Sequence, residues 1–358
     1  MLRRHFLSGA LAAGAGVVLD PVNADAASPT YEEAVERTWG PIRTGRERFE
    51  LVRFATLAAN SHNTQPWTFS VAEDRITIRP DFARRCPAVD PDNHHLFVSL
   101  GCAAENLVHA AEAMGLRAEP DFAGDSIVVR LAGGTAKRSP LFSAITERQC
   151  TRANYDGKPV DNEALRLLER ACVEPGVSAI ALTDCARMKV VGDYVEQGNS
   201  AQMRDKAFMT ELTDWLRFSK ADAVAHMDGL FSAASGNPVL PAWLARALLR
   251  FVFTESGENK KYREQIASSA GILVLSTDAN DRRNWIAAGR ACQRFALQAT
   301  ALGLKYAFIN QPVEVPELRP QFAAYLGLGV RRPDLVLRFG YGPSLPRSLR
   351  RPPEQVIA

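Results

Sequence analysis

The chain has 358 residues, of which 46% are hydrophobic and 23% are charged. These fractions are ordinary for globular proteins, and they exclude a disordered chain, a collagen-like chain and a protein with many membrane spans. The 43 basic residues exceed the 40 acidic residues by only three, so the charge balance argues against a nucleic-acid partner.

The N-terminus has the pattern of an export signal. The pair Arg3-Arg4 precedes an uncharged stretch, Phe6 to Leu19, that is rich in Ala and Gly. This stretch is shorter than the roughly 20 residues that cross a bilayer, so we expect no stable membrane anchor. Residues 1–26 resemble a twin-arginine (Tat) signal ending at Ala26, which implies passage through the Tat translocase to the periplasm. An uncleaved N-terminal helix is the alternative.

Apolar periodicity and turn residues predict a mixture of helices and strands. The predicted helices span 47–59, 162–172, 201–218 and 240–253, and the predicted strands span 68–71, 75–78 and 271–276. The last strand is apolar and flanked by polar residues, as is typical of a strand buried on both faces.

A repeat relates the two parts of the chain. Residues 101–116 align without gaps on residues 289–304, and six of the 16 positions are identical. Both segments read as helices that end at a glycine. The strand-like stretch 127–131 matches 335–339 at a larger shift, so the second copy has about 20 additional residues near 309–330. We interpret the repeat as a duplicated unit whose two halves imitate a homodimer around a shared crevice. The chain is then expected to be a monomer.

An amide-rich loop follows the first predicted helix. Asn60, Ser61, Asn63 and Gln65 lie just before Trp67. Asn and Gln side chains offer paired donors and acceptors, which suit the edge of a heterocycle. The alternative is a turn in which these side chains bond the local backbone.

Arginines cluster in two other places. Arg148 and Arg152 are four residues apart, and Arg347, Arg350 and Arg351 lie close to the C-terminus. Paired guanidinium groups grip a phosphate through charge-assisted hydrogen bonds. Solvated basic surfaces are the alternative.

Asp90, Asp92, His94 and His95 form an acidic turn with two histidines. These residue types bind metals, but an acidic turn that caps the following helix is the preferred interpretation, and we expect no metal site. The six cysteines lack zinc-like spacing.

Five segments in this order resemble the nitroreductase superfamily of flavin proteins, Acg-type branch. They are SHNTQPWTF at 61–69, RQCTR at 148–152, ALGLKYAFINQP at 301–312, LVLRFGYG at 335–342 and RRPPEQV at 350–356. The resemblance implies an α+β fold, a nitroreductase-like α/β sandwich with two pseudo-symmetric halves. The halves would span 45–135 and 140–345, with 219–241 as a lid loop and 346–358 as a C-terminal tail.

The resemblance also implies one FMN per chain, bound between the halves. The matching cofactor-binding positions are Asn60, Ser61, Asn63, Gln65, Arg148, Cys150, Arg152, Phe308, Asn310, Gln311, Arg350 and Arg351. The flavin carries the chemistry, so no side chain is expected to be catalytic. A small-molecule donor and a quinone, nitro or other aromatic acceptor would exchange hydride or electrons through it. The alternative is a protein that sequesters its flavin under a lid, with little turnover.

Overall fold

The computed structural model describes residues 29–358 and has the expected α+β fold. The proposed export signal, residues 1–26, lies outside the described residues. None of the helices between residues 29 and 358 has both the length and the apolar character needed to cross a membrane.

The strands in chain order are β1 (Trp67–Val71), β2 (Arg75–Pro80), β3 (Leu116–Ala123), β4 (Ser126–Gly133), β5 (Val177–Leu182), β6 (Leu216–Arg217), β7 (Leu230–Phe231), β8 (Gly271–Thr277), β9 (Lys305–Phe308) and β10 (Arg332–Gly340). The helices are α1 (Tyr31–Trp39), α2 (Glu47–Thr56), α3 (His94–Ala113), α4 (Pro140–Glu147), α5 (Asn162–Ala171), α6 (Cys185–Arg204), α7 (Lys206–Asp214), α8 (Lys220–His226), α9 (Ala242–Val252), α10 (Glu255–Ala267), α11 (Arg282–Ala301), α12 (Gln311–Glu314), α13 (Arg319–Leu326) and α14 (Pro353–Val356).

Two antiparallel four-stranded sheets share one topology. The first has the order β1-β2-β4-β3, and the second has the order β5-β8-β10-β9. In each sheet a long helix, α3 or α11, precedes the strand at one edge. The C-terminus returns to the first sheet, where the Ala358 amide donates to the Phe69 carbonyl at 2.8 Å and Ile357 forms a parallel bridge with Phe69.

The strand β8 is buried along its whole length, as the apolar run predicts. Leu273 and Leu275 pack in the main core, and Ile272 and Val274 pack in a second core on the other side of the sheet. By contrast, β3 alternates between half-buried and exposed positions, since only one of its faces is covered.

The helices α3 and α11 cross with their backbones almost in contact. A Cβ atom on Gly101 would lie 2.1 Å from the Ile286 carbonyl oxygen, and one on Gly289 would lie 2.0 Å from the Val98 carbonyl oxygen. These two contacts are reciprocal, because positions 98 and 101 align with 286 and 289 in the sequence repeat. Only glycine permits this approach.

The second part of the chain departs from the predictions at one helix. The helix predicted over 201–218 is wrong, because α6 ends at Arg204 and α7 begins at Lys206. Asp205 between them has extended backbone angles, and its carboxylate accepts the Ala207 amide. A side chain that caps a new helix thus ends the preceding one.

We predict that Gly101→Ala and Gly289→Ala each destabilise the protein by about 1–3 kcal/mol, because the added methyl group forces the helix backbones apart. The measurement is the free energy of unfolding in urea. Gly192→Ala in α6 is the matched control, since its Cβ would lie 3.6 Å from the Ile266 side chain, an ordinary contact. Equal urea midpoints for the Gly101 and Gly192 variants would contradict the role of the crossing.

Candidate functional site

Two adjoining clefts lie where the amide-rich loop meets β9 and the chain around residue 150. Each has a volume of about 90 Å³. Ala59, Asn60, His62, Arg152 and Phe308 line both. We call the first the arginine cleft, whose further lining includes Trp39, Asn63, Arg148, Cys150, Arg347 and Arg350. We call the second the histidine cleft, whose further lining includes Ser61, His95, Asn310 and Glu314.

The amide-rich loop has an unusual backbone. His62, Asn63 and Gln65 have φ values of 47°, 54° and 55°, in the left-handed region that non-glycine residues seldom adopt. Met227, which contacts this loop, also has a positive φ of 55°. Such strain persists only where surrounding contacts enforce it, and it concentrates at functional sites.

Two side chains of the loop supply those contacts. The Asn63 amide donates to the carbonyls of Gly229, at 2.9 Å, and Leu349, at 3.1 Å. The Gln65 amide donates to the Met227 carbonyl at 2.9 Å and accepts from the Arg351 backbone at 2.8 Å. The loop is therefore bonded both to the segment after α8 and to the C-terminal tail.

A buried chain of amides fixes the start of the loop. Gln293 on α11 accepts the Ala59 backbone amide at 3.2 Å and donates to Asn106 on α3 at 2.7 Å. Asn106 in turn donates to the Phe54 carbonyl in α2 at 2.9 Å. The crossing of the two long helices thus positions the residues that line the clefts.

Three arginines reach the arginine cleft without a carboxylate partner among residues 29–358. Arg148 bonds the Tyr306 hydroxyl and the Leu57 carbonyl, Arg152 bonds the Ser235 hydroxyl, and Arg350 bonds the carbonyls of Thr56, Ala58 and Leu349. The Nε of Arg148 is buried and has no hydrogen-bond partner in the described chain. The cleft therefore carries excess positive charge.

Trp39 joins these arginines from α1. Its ring centroid lies 4.7 Å from the Arg347 guanidinium carbon, 5.2 Å from that of Arg350 and 6.0 Å from that of Arg148. Burial, reinforced by the charges of Arg148 and Arg347, lowers the pKa of Arg350 to about 9. An anion in the cleft would offset this cost of burying a cation.

The histidine cleft contains buried titratable groups whose pKa values are shifted by burial in the direction that favours the neutral form. Burial, with smaller effects from Arg152 and His95, lowers the pKa of His62 to about 4. Burial lowers the pKa of His95 and raises that of Glu314. Neutral imidazoles and a carboxyl of raised pKa make this cleft less polar than its composition suggests.

Asp90, His94 and His95 lie close together, each with a ligand-type atom within 4.8 Å of the others. Both Asp90 oxygens accept backbone amides of the first turn of α3, from His95 and Leu96, and His94 Nε2 lies 2.8 Å from Asp334 Oδ1. Asp90 thus caps the following helix, as preferred from the sequence.

The structure brings nine of the twelve predicted residues together. These are Asn60, Ser61, Asn63, Arg148, Cys150, Arg152, Phe308, Asn310 and Arg350. Gln65, Gln311 and Arg351 lie outside both clefts. Gln65 is fully buried with its amide engaged, Gln311 packs against Gly198 of α6, and Arg351 donates to the Gln65 carbonyl.

The predicted set of binding residues omitted several cleft residues. Trp39 precedes the segment that carries the family resemblance, so no motif indicates it. His62 stands inside the SHNTQPW motif, although its type alone does not set it apart from its neighbours. His95 and Glu314 reach the cleft only through the packing of α3 and α12.

We predict that Asn63→Ala and Gln65→Ala loosen the segment 227–231 and the tail 349–351, because the carbonyls that they bond lose their donors. Amide hydrogen exchange in these peptides should accelerate about tenfold, whereas β8 should keep its rate. Ser61→Ala is the control, since the Ser61 hydroxyl makes only a 3.5 Å contact with His62. If the exchange rates of residues 227–231 and 349–351 are unchanged in these variants, the two side-chain amides do not hold the loop in place.

Comparisons with known proteins come from sequence and structure. No family model matches the chain. It is 27% identical over 325 residues to Rv3131 of Mycobacterium tuberculosis, covering 86% of this chain and 90% of the relative. It is 24% identical over 329 residues to acg of the same species, covering 86% and 93%. Both relatives are named as NAD(P)H nitroreductases, and both names mark that activity as inferred.

Among solved structures, a nitroreductase with bound FMN from Desulfitobacterium hafniense is 14% identical, with a TM-score of 0.38, and the match covers 62% of this chain and 98% of that one. The chain is thus similar to the two mycobacterial proteins along nine tenths of their length.

Proposed function

We propose that this protein binds FMN in the two clefts and acts as a flavin-dependent oxidoreductase. The observation that carries the proposal is the group of three arginines without carboxylate partners, Arg148, Arg152 and Arg350, beside an amide-rich loop. The names of its mycobacterial relatives, with NAD(P)H as donor, and the FMN bound to a solved nitroreductase agree with it.

The charge of the arginine cleft fits a phosphate. Buried cations without partners cost free energy, and a phosphate monoester supplies up to two negative charges and several acceptor oxygens. The unpartnered Nε of Arg148 is a buried donor that such an acceptor would satisfy. Arg148, Arg152 and Arg350 would hold the phosphate, and Cys150 beside them is a weaker donor than a hydroxyl would be.

The remaining cleft residues fit a flat heterocycle. Phe308 lines both clefts, Asn60 and Ser61 bring polar groups from the loop, and Asn63 Oδ1 is a buried acceptor that finds no hydrogen-bond donor within the described part of the chain. When bound, FMN supplies a ring that accepts and donates hydride or single electrons. The protein's own groups would orient that ring, and the buried imidazoles of His62 and His95 would line the face where an acceptor binds.

A second function, sequestration of the flavin, follows from the segment between Leu230 and Ser235. Leu230, Ala234 and Ser235 line the arginine cleft, and Ser235 bonds Arg152. Each cleft is smaller than the roughly 300–1,000 Å³ of common ligand pockets, so this segment must move outward to admit a ligand. A segment that stays closed over the flavin would leave a binding protein with little turnover.

We also propose that residues 1–26 direct export through the Tat translocase to the periplasm, and that the two halves are a duplicated unit. The shared strand order of the two sheets and the reciprocal glycine contacts support duplication. A monomer would then contain the whole site, because both halves contribute residues to it.

We predict that Arg152→Ala and Arg148→Ala each weaken FMN binding about 10- to 150-fold, the effect of losing one charged hydrogen bond. Fluorescence titration of FMN into cofactor-free protein measures the dissociation constant. Arg152 tests the idea without disturbing the core, since its side chain bonds only Ser235. Arg130→Ala on the first sheet, where Arg130 pairs with Asp121, is the matched control. If all three variants bind FMN with equal affinity, Arg148 and Arg152 do not hold the phosphate.

Anaerobic reduction separates turnover from sequestration. An enzyme should lose its flavin absorbance rapidly with NADH or NADPH and regain it with a quinone or a nitroaromatic compound. A sequestering protein should be reduced by dithionite alone. Purified protein without flavin that also fails to bind added FMN would contradict both functions.

A further inference from the structure

Exposed apolar side chains concentrate on one short stretch of the surface. Seven large hydrophobic residues are exposed in the described chain, and four of them lie between residues 239 and 251. They are Val239, Trp243, Leu248 and Phe251, with 47%, 73%, 37% and 64% of their surface accessible. Contiguous exposed apolar groups of this kind mark a surface that binds something.

The stretch is an amphipathic helix with one apolar face outward. Trp243, Ala247 and Phe251 are spaced by four residues along α9 and are exposed, whereas Ala245 is buried against the protein. Residues at this spacing share one face of a helix. Its aromatic side chains therefore face solvent, whereas the small Ala245 side chain faces the protein. An ordinary surface helix instead buries its large apolar side chains.

Positive charge accompanies this apolar face. Arg246 is exposed within it, with its guanidinium carbon 5.7 Å from the Phe218 ring centroid, and the sequence places a second arginine at 250. Residues 229–254, which include the whole of α9, contain no acidic residue. The stretch is therefore complementary in charge to an anionic surface.

We propose that α9 is an interfacial helix that binds the surface of a bilayer containing anionic lipids. Its aromatic side chains enter the boundary between headgroups and acyl chains, and Arg246 pairs with lipid phosphates. Trp, Phe and Leu on one side, basic residues beside them and no acidic residue are the features of helices that lie in the membrane plane.

Two properties favour lipid over a second copy of the chain. The helix has 11 residues and is about 16 Å long, which presents far less surface than the roughly 800 Å² per partner of a stable dimer. Its exposed face also carries Arg246 beside Trp243 and no acidic residue, so a second copy docked on it face to face would set like charges against each other. A membrane interface accommodates both residues at once.

The placement of α9 connects this surface to the clefts. The chain runs from Ser235, which bonds Arg152 in the cleft, through Leu240, whose amide donates to the Phe218 carbonyl, into α9. Docking of α9 would place the segment that covers the arginine cleft next to the lipid. The proposal itself does not depend on the cofactor, because it rests on exposure and charge alone.

The test is co-sedimentation with vesicles of phosphatidylglycerol and phosphatidylcholine, and with vesicles of phosphatidylcholine alone. The protein should begin at Ala27, since residues 6–19 are apolar and would bind lipid themselves, and this chain retains every described element. We expect binding to the anionic vesicles that weakens with salt, and a blue shift of the tryptophan emission.

The double variant Trp243→Ser/Phe251→Ser should lower the partition coefficient at least tenfold, and Arg246→Gln about fivefold on anionic vesicles only. Val330→Ser is the matched control, because Val330 is 98% exposed elsewhere on the surface. Sedimentation velocity is measured in parallel. Absence of binding, equal binding of the double variant and the control, or a dimer that only the double variant loses would each overturn the proposal.

Discussion

The close crossing of α3 and α11 is the constraint on which the rest of the molecule depends. Two glycines bring the helix backbones together, and this spacing lets Asn106 and Gln293 meet in the buried region between them. Gln293 then holds the backbone at Ala59, where the amide-rich loop begins. A wider crossing would break this amide chain, because hydrogen bonds require a donor–acceptor distance of about 2.7–3.2 Å and a nearly linear angle. The geometry of the clefts is thus set by backbone packing some distance away.

Electrostatics supplies the second organising feature. Many charged side chains of the described residues pair with an opposite charge, as in the largely buried group of Glu105, Arg290, Arg294 and Glu174. There, burial alone would raise the pKa of Glu105, but the His109 imidazole, whose Nε2 lies 3.4 Å from Glu105 Oε1, and the charges of Arg294 and Arg290 lower it to about 2. Three of the four arginines of the arginine cleft, Arg148, Arg152 and Arg350, have no such partner among residues 29–358. Arg148 and Arg350 are buried, and they donate hydrogen bonds to carbonyls and a hydroxyl. Their positive charges are therefore not balanced by these neighbours, and folding alone does not require such charges at this place.

The sequence predicted those features that depend on local pattern. The apolar run of β8, the hairpin of β1 and β2 and the helix α9 follow from spacing, and the repeat located the glycines of the helix crossing. Nine of the twelve predicted binding residues line the clefts, and they were predicted because they stand in motifs. The directions of individual side chains were not predicted. The Gln65 side chain points inward to Met227 and Arg351, although Gln65 adjoins residues that line the cleft. The left-handed backbone of the loop reverses these directions, and alternation rules for strands and helices do not describe it. Trp39 enters from a helix remote in sequence, so only tertiary packing reveals it.

The C-terminal tail has a consequence for the order in which the protein is made. Arg347 and Arg350 line the arginine cleft, the Leu349 carbonyl accepts from Asn63, and the final residue bonds to β1. A nascent chain emerges from its N-terminus, so both halves can begin to fold while these residues are still within the ribosome. The cleft is completed only once residues 347–358 have followed both halves out of the ribosome. The arginine cleft is therefore a late structure to form, and a chain without residues 347–358 would retain the strands of both sheets yet lack two of the four guanidinium groups that surround the cleft.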